Sequence, residues 1–303
     1  MVWTVDSLKF WVAAALDALR NASFCAHFNE MCPRCAVEHS HAQFFEDRVL
    51  YRTLQIATHL RSGTFVEIGA FDGVNLSNTY MLERCYDWRG LLIEANPENF
   101  RRLRTLSGRS AAMVHSAVCE RRGTVQLGGA GETSVQSGVA RSAWATKNFP
   151  SNLTSNEVPC EPLGDLMRTH GVHRATLLSL DVEGAEDLVL ATVDPRRFRV
   201  ILVEWSQSVE EAVAARLARV EKLMADAGMV LHQTLSVGVA EHGGLSRVYL
   251  HPELAGHPLL LPYYRKARPR HVRNCTARAA ERLELARANP ERGFPEFERA
   301  CFV

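Results

Sequence analysis

Glu67-Ile68-Gly69-Ala70-Phe71-Asp72-Gly73 follows directly on Phe65-Val66, so a short apolar run enters a glycine loop. Such a run reads as a strand, and the segment Asn75 to Tyr86 behind the loop reads as a helix. In an open α/β sheet a ligand lies beyond the carboxyl ends of the strands, where the strand order reverses. Gly69 and Gly73 fit a tight turn there and a close approach of the backbone. The helix that follows points its N-terminus at the same place. A dinucleotide loop would carry three glycines spaced G-x-G-x-x-G. Here the middle one is missing and Asp72 stands inside the loop. A carboxylate would repel a pyrophosphate and suits a ligand with a cationic amino group. Taken alone, the stretch reads equally well as an ordinary strand-to-helix turn.

Downstream the strand–helix rhythm repeats. Leu91-Leu92-Ile93 is a buried strand ending at Glu94, and Pro97 to Leu106 reads as a helix with proline in its first turn. Met113 to Val118 reads as a third strand, Pro162 to His170 as a helix and Thr176 to Leu180 as a strand ending at Asp181. Glu186 to Ala191 is a short helix, Val200 to Val203 a strand ending at Glu204, and Val209 to Ala227 a long helix. Residues 229–235 and 247–251 read as a closing antiparallel pair. Strands alternating with helices imply a doubly wound, mostly parallel α/β sheet.

Upstream, residues 5–20 read as a helix, 21–42 as irregular and 43–60 as an amphipathic helix. The expected organisation is a helical extension over 1–60, a catalytic domain over 61–255 and a basic, helical tail over 256–303. The Gly-, Ser-, Thr- and Asn-rich segment 128–157 reads as a long loop, either a functional lid or binding loop or a disordered stretch. The basic run in 262–273 reads as a solvated face.

Three acids stand where chemistry is expected. Glu94 ends the second strand about 20 residues past the glycine loop, where an acid accepts hydrogen bonds from ribose hydroxyls. Asp181 and Glu183 alternate after a buried strand and would face an acceptor, take its proton or hold a cation. Acids that start a helix offer a plainer account, one that suits Glu186 better than Asp181.

These stretches, in order, resemble the FkbM-type methyltransferase family from about Gln43 to Glu204. The resemblance rests on Phe65 to Gly73, Ser77-Asn78-Thr79-Tyr80, Leu82-Glu83, Trp88 to Pro97, Val158-Pro159-Cys160 with Pro162-Leu163, and Leu178 to Glu186. The match is to the branch found in eukaryotes. It implies a class I methyltransferase fold, Rossmann-like and doubly wound, with an antiparallel closing strand and an N-terminal helical extension. It further implies methyl transfer from S-adenosylmethionine to oxygen, on a sugar, glycan or small natural product. Carried over by position, Glu67, Gly69, Asp72 and Gly73 border the methionine part, Glu94 the ribose and Ala117 the adenine. Ala70, Asn75, Ser77, Ala95, Asn96 and Asp181 complete the implied cofactor contacts. Asp181, Glu183, Glu204 and His115 are the candidate bases. Many relatives carry a lysine two residues before the aspartate; here Ser179 stands there. Some animal members act in protein trafficking, which leaves a non-catalytic module as the rival, and an NAD-dependent oxidoreductase is a second.

The 303 residues carry a formal net charge of +1, which gives no case for a nucleic-acid partner. The apolar run Phe10 to Leu16 is too short to span a membrane. Eight cysteines are too few for a disulfide scaffold. Cys32-Pro-Arg-Cys35, with Cys25, His39 and His41, has metal-ligand spacing but lacks a second matched pair, so disulfide or free thiols are expected before zinc. Cys119 and Cys160 would tether the long loop in an oxidising compartment. The compartment is open: cytoplasmic by default, with the secretory lumen, where sequons at Asn21, Asn152 and Asn274 would matter, as the alternative.

Overall fold

The structure, a computed structural model, describes residues 33–43, 46–47, 50, 62–128, 135–136, 156–206, 211–232 and 244–255. The segments 5–20 and 262–273, the three sequon asparagines and most of 43–60 and 128–157 lie outside these.

Strands β1 (Thr64–Ile68), β2 (Arg89–Glu94), β3 (Ala112–His115), β8 (Ala175–Leu180), β9 (Phe198–Ser206), β10 (Val230–Leu231) and β11 (Gly244–Leu250) form one sheet in the order β10-β11-β9-β8-β1-β2-β3. The pairs from β9 to β3 are parallel, and β11 is antiparallel to both its neighbours. The chain builds β1, β2 and β3 outward on one side, then returns to add β8 and β9 on the other. The order therefore reverses beside β1, where ligands bind in such sheets.

Alternate side chains of each central strand enter two separate cores. Val66, Ile68, Leu91, Ile93, Leu178 and Leu180 pack on one face, against α4 (Leu163–Thr169), α5 (Glu186–Leu190) and α6 (Glu211–Asp226). Phe65, Leu92, Leu177, Val200 and Leu202 pack on the other, with Leu50, Trp88 and residues of α2 (Tyr80–Tyr86) and α3 (Pro97–Leu106). All six residues of β8 are buried, which is why this strand reads as an unbroken apolar run. Asn96 caps α3 by accepting from the amides of Glu98 and Asn99, and Pro97 starts it.

The structure departs from the sequence reading in four places. The helix expected from Asn75 is confined to Tyr80–Tyr86. Ser77 Oγ, Asn78 N and Thr79 Oγ1 all donate to the Glu67 carboxylate, which draws residues 75–79 out of helical geometry. The strand expected over Met113 to Val118 breaks at Ser116, whose amide turns back to the Glu94 carbonyl. Past the break, β4 (Ala117–Val118) joins a second sheet with β5 (Gly123–Gly128), β6 (Val135–Gln136) and β7 (Asn156–Glu161), in the order β4-β7-β5-β6. This sheet takes up both ends of the expected loop. Finally, Pro33–His39, expected to be irregular, forms helix α1.

Two disulfides fasten these parts. Cys35 of α1 is bonded to Cys85 of α2, and Cys119 to Cys160 of β7. Cys35 is therefore no zinc ligand, and Cys25 and Cys32 lie outside the described residues.

Candidate active site

The parallel register places Ile68, Ile93 and Leu180 side by side, so the loops after β1, β2 and β8 open on one edge. Backbone bonds hold them together there: Gly69 N and Ala70 N donate to Ile93 O, and Asp181 N donates to Ile68 O. Gly69 has φ +80, and a Cβ on it would stand 1.8 Å from the Asp181 carbonyl oxygen. Glycine is required by that approach, which is to protein backbone.

A cavity opens at this edge. Of the residues expected to bind a cofactor, Glu67, Gly69, Ala70, Asn75, Ser77, Glu94, Ala95, Ala117 and Asp181 line it. Asp72, Gly73 and Asn96 do not. The Asp72 carboxylate accepts from Val74 N, Asn75 N and Asn75 Nδ2 and so shapes the loop. Gly73 faces Leu103, and Asn96 caps α3. Val118 and Leu127, beside Ala117, form an apolar end supplied by the second sheet, with Ser116 next to it. No local pattern in the sequence marked them, because that sheet was not legible.

Glu94 is 5 % exposed. Its Oε2 accepts from Phe71 N at 2.7 Å and its Oε1 from Asn96 N at 2.7 Å. Burial pushes its carboxyl up to about 7 against the pull of these amides.

Beneath the loop lies an arginine that the sequence reading passed over. The Arg109 guanidinium donates to Glu83 Oε2, Gly73 O, Ser77 Oγ and Thr79 Oγ1 at 2.7–3.2 Å. It also stands 3.9 Å from Glu67 Oε2. Its side chain is wholly buried, as Arg side chains rarely are without such pairing.

The acids after β8 and β9 converge. One carboxylate oxygen each of Asp181, Glu183 and Glu204 lies within 4.8 Å of the other two. The Glu204 and Asp181 side chains are hydrogen-bonded to each other. The Asp181 charge, then burial, holds the Glu204 carboxyl well above its usual range, while burial raises Asp181. Glu183 has φ +54. Its loop is held by Glu186 Oε1 accepting from Gly184 N and by Arg216 beside Glu186 and Gly184 O. Phe71 and Leu76 also have positive φ, so three of the four such non-glycine residues among the described residues lie on this rim. His115 is elsewhere: its Nε2 meets the Ala95 carbonyl at 3.0 Å and its ring stacks on Phe100.

The model of a family described as methyltransferase FkbM domain matches residues 67–231. No curated protein matches the chain. Among solved structures, an FkbM methyltransferase from Methylobacillus flagellatus is 12% identical, with 62% of this chain and 44% of that one covered and a TM-score of 0.39. The chain thus spans less than half of that protein. An O-methyltransferase from Bacillus cereus in complex with SAH is 12% identical, with 82% and 93% covered and a TM-score of 0.39. An Aeropyrum pernix fibrillarin with bound S-adenosyl-L-methionine is 12% identical, with 62% and 66% covered and a TM-score of 0.37. At these scores the three likenesses bear on neither ligand nor substrate.

Proposed function

Because the chain belongs to the FkbM methyltransferase domain family, we propose that it is an S-adenosylmethionine-dependent O-methyltransferase acting on a small-molecule or glycan hydroxyl. One observation carries this reading: a glycine loop, a buried Glu94 and the Asp181 carboxylate meet in one cavity at the aligned ends of β1, β2 and β8.

The residues fit the cofactor. Glu94 stands on the cavity lining at the end of β2, where its carboxylate is placed to accept from a ribose hydroxyl. Ala117, Val118 and Leu127 offer an apolar seat for the adenine. Asn78 Oδ1 is buried with no hydrogen-bond partner and lies on the same lining, where a cationic amino group would satisfy it. This is the role first expected of Asp72, whose carboxylate is spent on its own loop.

Bound there, S-adenosylmethionine supplies an electrophilic methyl group whose carbon–sulfur bonding pair returns to sulfur as an acceptor oxygen attacks. The chain's residues hold the acceptor in line and take its proton. Asp181 is the base in this reading. Glu204, whose carboxyl the Asp181 charge and burial hold well above its usual range, carries the proton of the pair and orients Asp181 through their shared hydrogen bond. The hydroxyl proton passes to Asp181 as the carbon–oxygen bond forms. Glu183 borders the same space, and His115, turned to a backbone carbonyl, takes no part.

Calorimetric titration with S-adenosylmethionine tests the cofactor, and single-turnover assays of Asp181→Asn test the base. The expected result is binding in both forms, with turnover falling about a hundredfold to ten-thousandfold in the variant. Binding without turnover in the unaltered chain would favour a non-catalytic module instead.

A further inference from the structure

A second pocket shares Leu76, Asn78 and Asp181 with the first. Beyond that junction it runs between Glu204 of β9, Ser246 of β11 and two residues from before β1, Gln43 and Glu46. We propose that this cavity is the acceptor subsite, and that it admits an uncharged, hydroxyl-bearing acceptor and turns away anionic ones. The proposal rests on the reading of the first cavity as the cofactor's.

Direct transfer requires the reacting atoms to lie about 3–3.5 Å apart. The acceptor must therefore occupy space continuous with the cofactor's cavity, at the end where the base stands. The second cavity meets the first at Asp181 itself.

Its lining sets the charge. Gln43, Asn78 and Ser246 offer neutral polar groups, Glu46, Asp181 and Glu204 offer carboxyls, and among the described residues that line it there is no arginine, lysine or histidine. A phosphate, sulfate or carboxylate on the acceptor would meet like charge, with no cation among the described lining residues to offset it. An amine would be held as its ammonium by the same acids, its lone pair withheld from attack. A hydroxyl donates to a carboxylate and gives up its proton to it, which is what this lining accommodates.

The wall before β1 is fastened to the domain from two sides. Ala42 bridges to Leu76, whose φ of +61 turns it toward that contact. Glu46, 4 % exposed, accepts from Ser246 Oγ at 3.1 Å across 200 residues of sequence. The segment that reads as an extension thus closes the acceptor side, and Gln43, exposed at its rim, is placed to select what enters.

The test uses the full chain, S-adenosylmethionine and a panel of methyl hexopyranosides and small polyols, each beside its phosphorylated counterpart. Release of S-adenosylhomocysteine is the readout. Neutral members should turn over, with kcat/KM at least tenfold above their phosphates. Gln43→Lys, at an exposed position, should narrow that difference about tenfold. Ser246→Ala should raise the KM of the neutral acceptor at least threefold. Both variants should keep the cofactor affinity, and should Ser246→Ala fail to fold, Gln43→Lys decides alone. Preference for phosphates, unchanged acceptor KM and charge preference in the folded variants, or no turnover of any member by a chain that binds the cofactor would overturn the proposal. Failure of the unaltered chain to bind the cofactor would overturn the reading beneath it as well.

Discussion

Arg109 donates a 2.7 Å hydrogen bond to the carbonyl of Gly73, 36 residues earlier in the chain, and so clamps the end of the glycine loop from beneath. The same guanidinium holds Ser77 and Thr79 and neutralises Glu83. Lysine keeps the charge but not the planar fork that makes these bonds together. Arg109→Lys should therefore weaken S-adenosylmethionine at least tenfold, about 1.5–3 kcal/mol for a lost bond to a charged group. Arg109→Met leaves buried carboxylates uncompensated and should cost about 3–5 kcal/mol, a fall of roughly 10 °C in the melting temperature. Unchanged affinity in the lysine variant would mean that the clamp serves the fold alone.

Glu94 should make cofactor binding depend on pH. Burial raises its carboxyl to about 7, and only the ionised form can accept through both oxygens with no proton on either. Below that value the acid is mainly protonated and the ligand must first expel the proton. Affinity should thus rise about tenfold between pH 6 and pH 8, with proton uptake by the buffer, and level off above. Glu94→Gln should bind more weakly at pH 8 and lose the slope. A slope that survives in Glu94→Gln would assign the titration to another group.

Two glycines with left-handed backbones separate conformational strain from space. Gly69 and Gly108 have φ of +80 and +62, yet a Cβ on Gly69 would strike the Asp181 carbonyl while one on Gly108 meets nothing within 4 Å. Gly108→Ala should cost about 1–2 kcal/mol, the price of the left-handed region alone. Gly69→Ala adds a steric clash between two loops of the site, and should cost several kcal/mol and abolish cofactor binding. Equal melting temperatures for the two variants would contradict the close approach of β1 and β8.

The Cys119–Cys160 bridge closes a 41-residue separation at the edge of the second sheet, next to the strand that carries Ala117. Alkylation followed by mass mapping should find these two thiols blocked in protein made in an oxidising compartment and free after reduction. On the chain-entropy account a loop of this size contributes about 4 kcal/mol, so replacing both cysteines with serine should lower the melting temperature by roughly 10 °C. The adenine end of the cavity should loosen with it, raising the dissociation constant for S-adenosylmethionine.

The sequence by itself determined the main sheet. The all-buried β8, the runs that end at Ile68 and Ile93, and the glycine loop each carry their signal within a few residues, because burial and turn geometry are local demands on the chain. The loop edge where Glu94 and Asp181 stand was legible for the same reason, since each directly follows or ends a strand. What only the tertiary structure decided is where polar side chains are spent. Asp72 reads as a cofactor contact, yet it is consumed by Val74 and Asn75. His115 reads as a base, yet its ring nitrogen meets the Ala95 carbonyl. Arg109 carries no motif and becomes the clamp, and Gln43, Glu46 and Ser246 reach one cavity from opposite ends of the domain. The second sheet stayed hidden because its short strands pair across a segment with no periodicity of its own. A hydrogen bond between residues 200 positions apart leaves no period in the chain; it exists only once the sheet has closed and brought β11 beside the segment before β1.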